Sequence, residues 1–166
     1  MTNKISVTAQ NRVQLREVRE ADLPTFFTQQ LEPDATLMAA FPAREKETFM
    51  AHWAKIMADE TVVLRTILFD GRVAGNIVSF VMEAEREVGY WLGKEFWGQG
   101  IATQALTAFL AEVKTRPLYA HVVKDNFGSL RVLQKCGFVV TGADRWFSSV
   151  RAAEVDELVL KLEADH

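Results

Sequence analysis

Cysteine, histidine and runs of basic residues are scarce in this sequence, and each scarcity argues against a class of function. One cysteine cannot form an internal disulfide, and the three histidines are too scattered to complete a Cys/His zinc site. The formal net charge is -3 and no block of Lys and Arg occurs, which argues against nucleic-acid binding. No apolar run is long enough to span a membrane, and residues 1–12 lack the apolar core of a secretion signal. We therefore expect a cytoplasmic protein that uses no metal and binds neither nucleic acid nor membrane.

Linkers, repeats and low-complexity segments are also missing. A chain of 166 residues suits one domain with one sizeable core. The sequence therefore predicts a loose tail over residues 1–11 and one domain over residues 12–166. Dimerisation is left open.

Apolar periodicity predicts the element order β-α-α-β-β-β-α-β-α-β-β. We expect Asp22 to cap the first helix, Pro33 to end it, and residues 32–44 to be irregular. The predicted strands cover residues 13–18, 61–69, 72–83, 87–92 and 118–123, a stretch that starts at 138, and residues 154–162. The predicted helices lie after Asp22, at 44–58, from about 101, and at 126–136. Residues 144–151 are predicted to form a turn.

Two local signals predict how these strands pair. Asp70-Gly71 is a strong hairpin signal, so its flanking strands should be antiparallel. Residues 87–123 form a strand, a glycine turn, a helix and a second strand, and such a crossover makes the two strands parallel. The expected fold is a single-domain mixed α/β (α+β) structure. Its sheet is mostly antiparallel, with a central parallel strand pair and helices on both faces.

The glycine turn is the segment with the clearest chemical meaning. It has the sequence Trp97-Gly-Gln-Gly-Ile-Ala-Thr103 and joins a strand to a helix, where glycines and free N–H groups favour a diphosphate. A Walker A loop is absent, and a dinucleotide fingerprint is incomplete because Thr103 replaces its third glycine. An acyl-CoA loop, [QR]-x-x-G-x-[GA], matches at Gly100 and Ala102 but has Trp97 at its first position. On the glycines alone, a plain tight turn explains the segment equally well.

Three further blocks accompany this turn in order, and together they resemble the GNAT N-acetyltransferase superfamily. They are Leu15-Arg-Glu-Val-Arg-Glu-Ala-Asp-Leu23, Gly89-Tyr-Trp-Leu92, and Asn126-Phe-Gly-Ser129 through Lys135-Cys-Gly-Phe138. The resemblance covers roughly the whole domain and is strongest to the branch that includes ribosomal-protein N-terminal acetyltransferases. It implies an enzyme that moves an acetyl group from acetyl-CoA, as co-substrate, to a primary amine by direct attack. The amine belongs to a protein N-terminus or to a small molecule.

The resemblance also implies site residues. A backbone N–H near Tyr90, Trp91 or Leu92 would face the thioester oxygen. Many family members carry a tyrosine near the sulfur, and Leu133 stands at that position here. The expected cofactor-binding residues are Tyr90, Trp91, Leu92, Trp97, Gly98, Gln99, Gly100, Ile101, Ala102, Thr103, Asn126 and Ser129. Ordinary strand packing for the aromatic residues and helix capping for Asn126 are the structural alternatives.

Glu87 and Ser129 are the candidate catalytic residues. Ser129 would hydrogen-bond the sulfur, and Glu87 would accept the amine proton through water. A solvated edge carboxylate is the alternative for Glu87. Structural roles are predicted for His121 and Cys136.

The irregular stretch and the last turn are expected to select the acceptor. Their candidate acceptor-binding residues are Met38, Phe41, Trp146 and Phe147, with Arg151 beside them. The competing functions are a non-catalytic acyl-CoA-binding module, which the missing tyrosine favours, and the same fold with another acyl donor or with an amino sugar or polyamine as acceptor. The absent Walker A residues disfavour a nucleotide-binding regulator.

Overall fold

The computed structural model describes residues 12–164. Within this range seven strands form one sheet and five α-helices cover it. The strands are β1 (Val13–Glu17), β2 (Val63–Phe69), β3 (Arg72–Met82), β4 (Glu85–Leu92), β5 (Leu118–Val123), β6 (Val139–Ser148) and β7 (Ala153–Leu162). The helices are α1 (Leu23–Gln30), α2 (Pro33–Ala39), α3 (Lys46–Ala58), α4 (Ile101–Glu112) and α5 (Phe127–Lys135). The predicted tail at residues 1–11 lies outside the described residues.

The strand order across the sheet is β1-β2-β3-β4-β5-β7-β6. Only β4 and β5 are parallel, and the other five pairs are antiparallel. Asp70 and Gly71 have φ of 50° and 80°, the left-handed backbone that a two-residue hairpin turn needs. The predicted pairing and fold class are confirmed.

The core lies on both faces of the sheet. One face packs against α4 and α5, with Ile77, Leu106 and Phe109 fully buried. The opposite face packs against α1 and α3 around Phe26 and Trp53. The predicted arrangement of helices on both faces is confirmed.

Helix α2 occupies the stretch predicted to be irregular, so that prediction is wrong. Pro33 does follow the end of α1, but it also takes the first position of a new helix. Proline suits this position because the first turn of a helix needs no N–H donor. The Glu32 side chain accepts a hydrogen bond from the Asp34 N–H at 3.3 Å and caps the helix.

One other local prediction is wrong, and a second holds only in part. Strand β6 continues to Ser148, so most of the predicted turn at 144–151 is paired with β7. Asp22 does occupy the N-cap position of α1, as predicted, but its side chain makes no capping hydrogen bond to the helix. Its carboxylate instead accepts from Arg16, from the Arg19 N–H and from the Thr66 hydroxyl, because a buried charge needs charged and polar partners.

Candidate functional site

A cavity of about 530 Å³ opens between strand β4, the glycine turn and helices α2, α4 and α5. This volume lies within the range of small-molecule sites. The cavity brings together most residues that the sequence indicated. Its lining includes Met38, Tyr90, Trp91, Leu92, Trp97, Gly98, Gly100, Ile101, Ala102, Thr103, Asn126 and Ser129. Gln99 lies outside the lining, and its side chain donates to the Glu95 carbonyl.

The glycine turn has the backbone of an anion cradle. Gly98 and Gly100 have φ of 72° and 76°, and a Cβ on Gly98 would meet no atom within 4 Å. Gly100 is the N-cap of α4 and supplies no side chain to the first-turn N–H groups. These groups therefore retain donor capacity at the cavity. The Trp97 indole donates to the Leu92 carbonyl at 3.1 Å and fastens the turn to β4.

Two cations border the same cavity from helix α5. Arg131 and Lys135 are exposed and line it, and within residues 12–164 neither forms an ion pair. Cations and helix N–H groups together suit an anionic ligand such as a diphosphate. The donor set therefore fits the phosphates of coenzyme A.

Strands β4 and β5 are in register only at Glu87 and Tyr119. Beyond that pair the edge of β4 has no partner in the sheet, although its other edge stays paired with β3 as far as Leu92. The Gly93 N–H donates to Ala74 on β3. Because successive N–H groups alternate sides along a strand, those of Leu92 and Tyr90 face the open edge toward β5.

Tyr90 and Ser129 meet in the lining of the cavity. The Tyr90 hydroxyl lies 2.8 Å from the Ser129 Oγ. Asn126 caps α5 by accepting the Ser129 N–H at 3.3 Å, so it has the capping role while its side chain also lines the cavity. Leu133 is 2% exposed and belongs to the core. Sequence reasoning assigned Tyr90 a backbone role and did not predict this contact, because it joins residues 39 apart.

Glu87 is buried on the opposite face of β4 from Tyr90 and does not line the cavity. Its carboxylate lies 3.5 Å from His121 Nε2, and His121 Nδ1 lies 3.1 Å from Glu157. Burial raises the pKa of Glu87, and nearby His121 opposes that shift. A carboxyl group with a raised pKa is better suited to accept a proton near neutral pH.

The structure separates the four candidate acceptor residues. Met38 lines the cavity from α2, whereas Phe41 packs against Trp146 with ring centroids 6.0 Å apart. Trp146 also packs against the buried Val123 and Val155. Phe147 alternates with Trp146 along β6 and is exposed, so it lies on the other face of the sheet.

Helix α2 is held in place at both ends. Arg151 donates to the Leu37 and Met38 carbonyls at its C-terminus and pairs with Asp125 at 2.6 Å. Lys94, in the turn that follows β4, pairs with Asp34 in the first turn of α2. Arg151 therefore fixes a wall of the cavity and does not line it.

The described residues contain neither a candidate membrane-spanning helix nor a candidate metal cluster. Over residues 12–164, none of the helices is both long and apolar enough to cross a bilayer. In the same range, no three His, Cys, Asp or Glu side chains are grouped as a metal site would require.

Comparison with known families identifies the class of protein. The acetyltransferase (GNAT) domain family matches residues 12–139, which is more than half of the chain. The chain therefore belongs to the GNAT acetyltransferase family.

One curated relative is "Putative ribosomal N-acetyltransferase YdaF" from Bacillus subtilis (strain 168). It is 29% identical over 107 residues, which is 60% of this chain and 58% of YdaF. The matched segment thus spans less than two thirds of the relative's own length.

Solved structures share the fold. RimJ from Mycobacterium smegmatis, in complex with CoA-disulfide, superposes with a TM-score of 0.76 at 23% identity, over 92% of this chain and 82% of RimJ. A spermidine N-acetyltransferase from Vibrio cholerae, in complex with CoA and spermine, gives a TM-score of 0.76 at 16% identity, over 91% of this chain and 96% of that chain. At these identities the matches establish the fold alone.

Proposed function

We propose that this protein transfers an acetyl group from acetyl-CoA to a primary amine by direct attack. The observation that carries the proposal is one cavity that joins an anion cradle to the open edge of β4 and to the Ser129 hydroxyl. CoA in the RimJ and spermidine acetyltransferase structures supports this choice of donor. We place the reaction in the cytoplasm, where acetyl-CoA is available.

The glycine turn and the start of α4 would hold the diphosphate through backbone N–H groups, with Arg131 and Lys135 at the rim. The pantetheine arm would then run along the open edge of β4. The Leu92 and Tyr90 N–H groups face that edge, so they are the donors proposed for the oxygen that gains charge as the amine adds.

The amine must lose a proton, since an α-amino group titrates near about 8 and a lysine near about 10. Glu87 is the proposed acceptor of that proton, reached through water because it does not line the cavity. The carbon–sulfur bond then breaks with its electron pair on sulfur, and Ser129 is the proposed hydrogen-bond donor to that sulfur.

The acceptor would approach from the side of α2, where Met38 lines the cavity. Phe41 and Trp146 are proposed as the neighbouring acceptor wall. A role for Phe147 in contacting the acceptor stays a prediction. The names of YdaF and of the Vibrio cholerae enzyme suggest testing both a ribosomal-protein N-terminus and a polyamine.

The test is a calorimetric titration with acetyl-CoA, with a thermal melt beside it. We expect saturable binding and, at a hundredfold excess over Kd, about 2.7 kcal/mol of stabilisation. Gly98→Asp and Gly100→Asp should abolish both, because each puts a carboxylate in the anion cradle. Gly71→Asp is the matched control, since Gly71 also has a positive φ but lies in the β2–β3 turn.

Two outcomes separate the proposal from its alternatives. No binding by the native chain at millimolar acetyl-CoA would refute it. Binding without acetylation of any peptide, polyamine or amino sugar would favour the non-catalytic module, which the absence of a tyrosine on α5 supports.

A further inference from the structure

The contact between Tyr90 and Ser129 joins two elements that meet only through folding. Tyr90 lies on β4, Ser129 lies in the first turn of α5, and their hydroxyl oxygens are 2.8 Å apart at the cavity. Within residues 12–164 this is the single hydrogen bond of the Ser129 hydroxyl, while its backbone N–H is held by Asn126. Two independent hydrogen bonds therefore fix Ser129.

The direction of this hydrogen bond follows from acidity. Burial raises the pKa of Tyr90 to about 12, and the hydrogen bond to Ser129 opposes that shift, so the phenol stays protonated at physiological pH. A phenol is more acidic than an alcohol and is the better donor. With Tyr90 donating, the Ser129 Oγ accepts, and the serine's own hydrogen points away from the tyrosine.

Helix α5 offers no other hydroxyl to the cavity. Its sequence, FGSLRVLQK, contains Ser129 and no threonine or tyrosine. Leu133, one turn further along, is buried in the core. A phenol therefore reaches the cavity from β4, and its hydroxyl is hydrogen-bonded there to Ser129.

We propose that Tyr90 is a positioning residue that directs the Ser129 O–H toward the sulfur of the bound thioester. This inference rests on the proposed function. As nitrogen bonds to the carbonyl carbon, the carbon–sulfur bond breaks and its electron pair stays on sulfur. The amine proton passes to Glu87 or to water. The oriented Ser129 O–H stabilises the thiolate by a hydrogen bond, and the thiolate then takes a proton from water.

The kinetic test compares Tyr90→Phe, Ser129→Ala and the double variant with Tyr119→Phe. Tyr119 is the only other tyrosine, does not line the cavity, and lies beside Lys161. We expect Tyr90→Phe to lower kcat about tenfold with an unchanged KM for acetyl-CoA, the size of one lost hydrogen bond. Ser129→Ala should lower kcat further, and adding Tyr90→Phe to it should cost nothing more, because the tyrosine acts through the serine. Tyr119→Phe should match the native enzyme.

A binding test needs no turnover. As pH rises and the thiol of CoA ionises, the native chain should bind CoA more tightly than desulfo-CoA. The Tyr90→Phe variant should lose this preference for CoA but should still bind desulfo-CoA. A packing role for Tyr90 would weaken both ligands equally and would overturn the proposal. An unchanged kcat in Tyr90→Phe would also overturn the proposal. If the native chain still acetylates an amine in that case, the proposed function stands. Failure of the native chain to bind either ligand would overturn both proposals together.

Discussion

Glu87 shows at the scale of one residue how a function can cost stability. The residue is 9% exposed, and its carboxylate lies 3.5 Å from His121 Nε2. Burial raises its pKa, which means that the folded protein prefers the protonated form. A base must be ionised, and ionised Glu87 therefore lowers the stability of the folded protein.

Glu87→Gln should raise stability and lower activity together. A group with a raised folded pKa contributes stability below its unfolded pKa, near 4.5, and that contribution is lost as pH rises through the folded value. The variant should therefore match the native Tm in acid and exceed it at higher pH. Its acetylation rate should fall roughly a hundredfold or more if Glu87 is the base.

Glu17→Gln is the control because Glu17 is an exposed carboxylate on β1 and does not contribute to the pKa of Glu87. It should change neither the melting curve nor the rate. If the Glu87→Gln variant has a raised Tm but keeps full activity, Glu87 is not the base.

At the scale of elements, the pairing of β3 with β4 brings the two backbones unusually close at one point. A Cβ on Gly75 would lie 2.0 Å from the Trp91 carbonyl oxygen. The neighbouring register shift between Ile67 and Leu68 places Ala74 as an extra residue on β3. Gly75 thus allows β4 to hold Trp91 and Leu92 at the cavity.

Gly75→Ala should therefore destabilise the fold by about 1–3 kcal/mol, because one strand must shift. It should also weaken acetyl-CoA binding, since Trp91 and Leu92 line the cavity. Gly89→Ala is the matched control on the same strand pair, because a Cβ there meets no atom within 4 Å. Urea unfolding and calorimetry measure both effects, and equal unfolding free energies for the two variants would contradict the steric argument.

Elements with a local signal were predictable from sequence, whereas those that depend on distant partners were not. Asp70-Gly71 and the glycine turn carry their conformation in neighbouring residues, and both are where the sequence predicted them. Helix α2 was missed because Pro33 signals both the end of one helix and the start of the next. The Tyr90–Ser129 contact depends on how β4 packs against α5, which no local pattern contains.

At the scale of the whole molecule, acid stability depends on Asp22. Its carboxylate is 4% exposed and links β1 to β2 through Arg16 at 2.7 Å and Thr66 at 2.7 Å. Burial alone would raise its pKa, but hydrogen bonds from Arg16, the Arg19 N–H and Thr66 lower the pKa to about 2. The lowered pKa means that ionised Asp22 stabilises the fold.

Acid should therefore remove this contribution. Stability from a lowered carboxyl pKa is present above the unfolded value, near 3.8, and is lost as pH falls toward about 2. Asp22→Asn should cost about 2 kcal/mol of unfolding free energy at neutral pH, and the difference should vanish in this window. Denaturant unfolding across pH measures it.

The exposed Arg12–Asp70 pair provides the comparison. Asp70→Asn should change stability much less than Asp22→Asn does, because exposed ion pairs contribute little. A constant difference between native and Asp22→Asn protein down to pH 2 would contradict the assignment.

The clamping of α2 by Lys94 and Arg151 has a consequence for how such proteins diverge. The residues proposed to hold the donor lie in one stretch, 90–135, whereas the residues proposed to contact the acceptor lie on α2, just after α2 and on β6. Inheritance can therefore preserve the donor machinery while a seven-residue helix changes, provided that the Lys94–Asp34 ion pair and the hydrogen bonds from Arg151 to the helix carbonyls survive. Exchanging residues 33–39 between relatives is then a direct route to a new acceptor preference on an unaltered acetyl-CoA site.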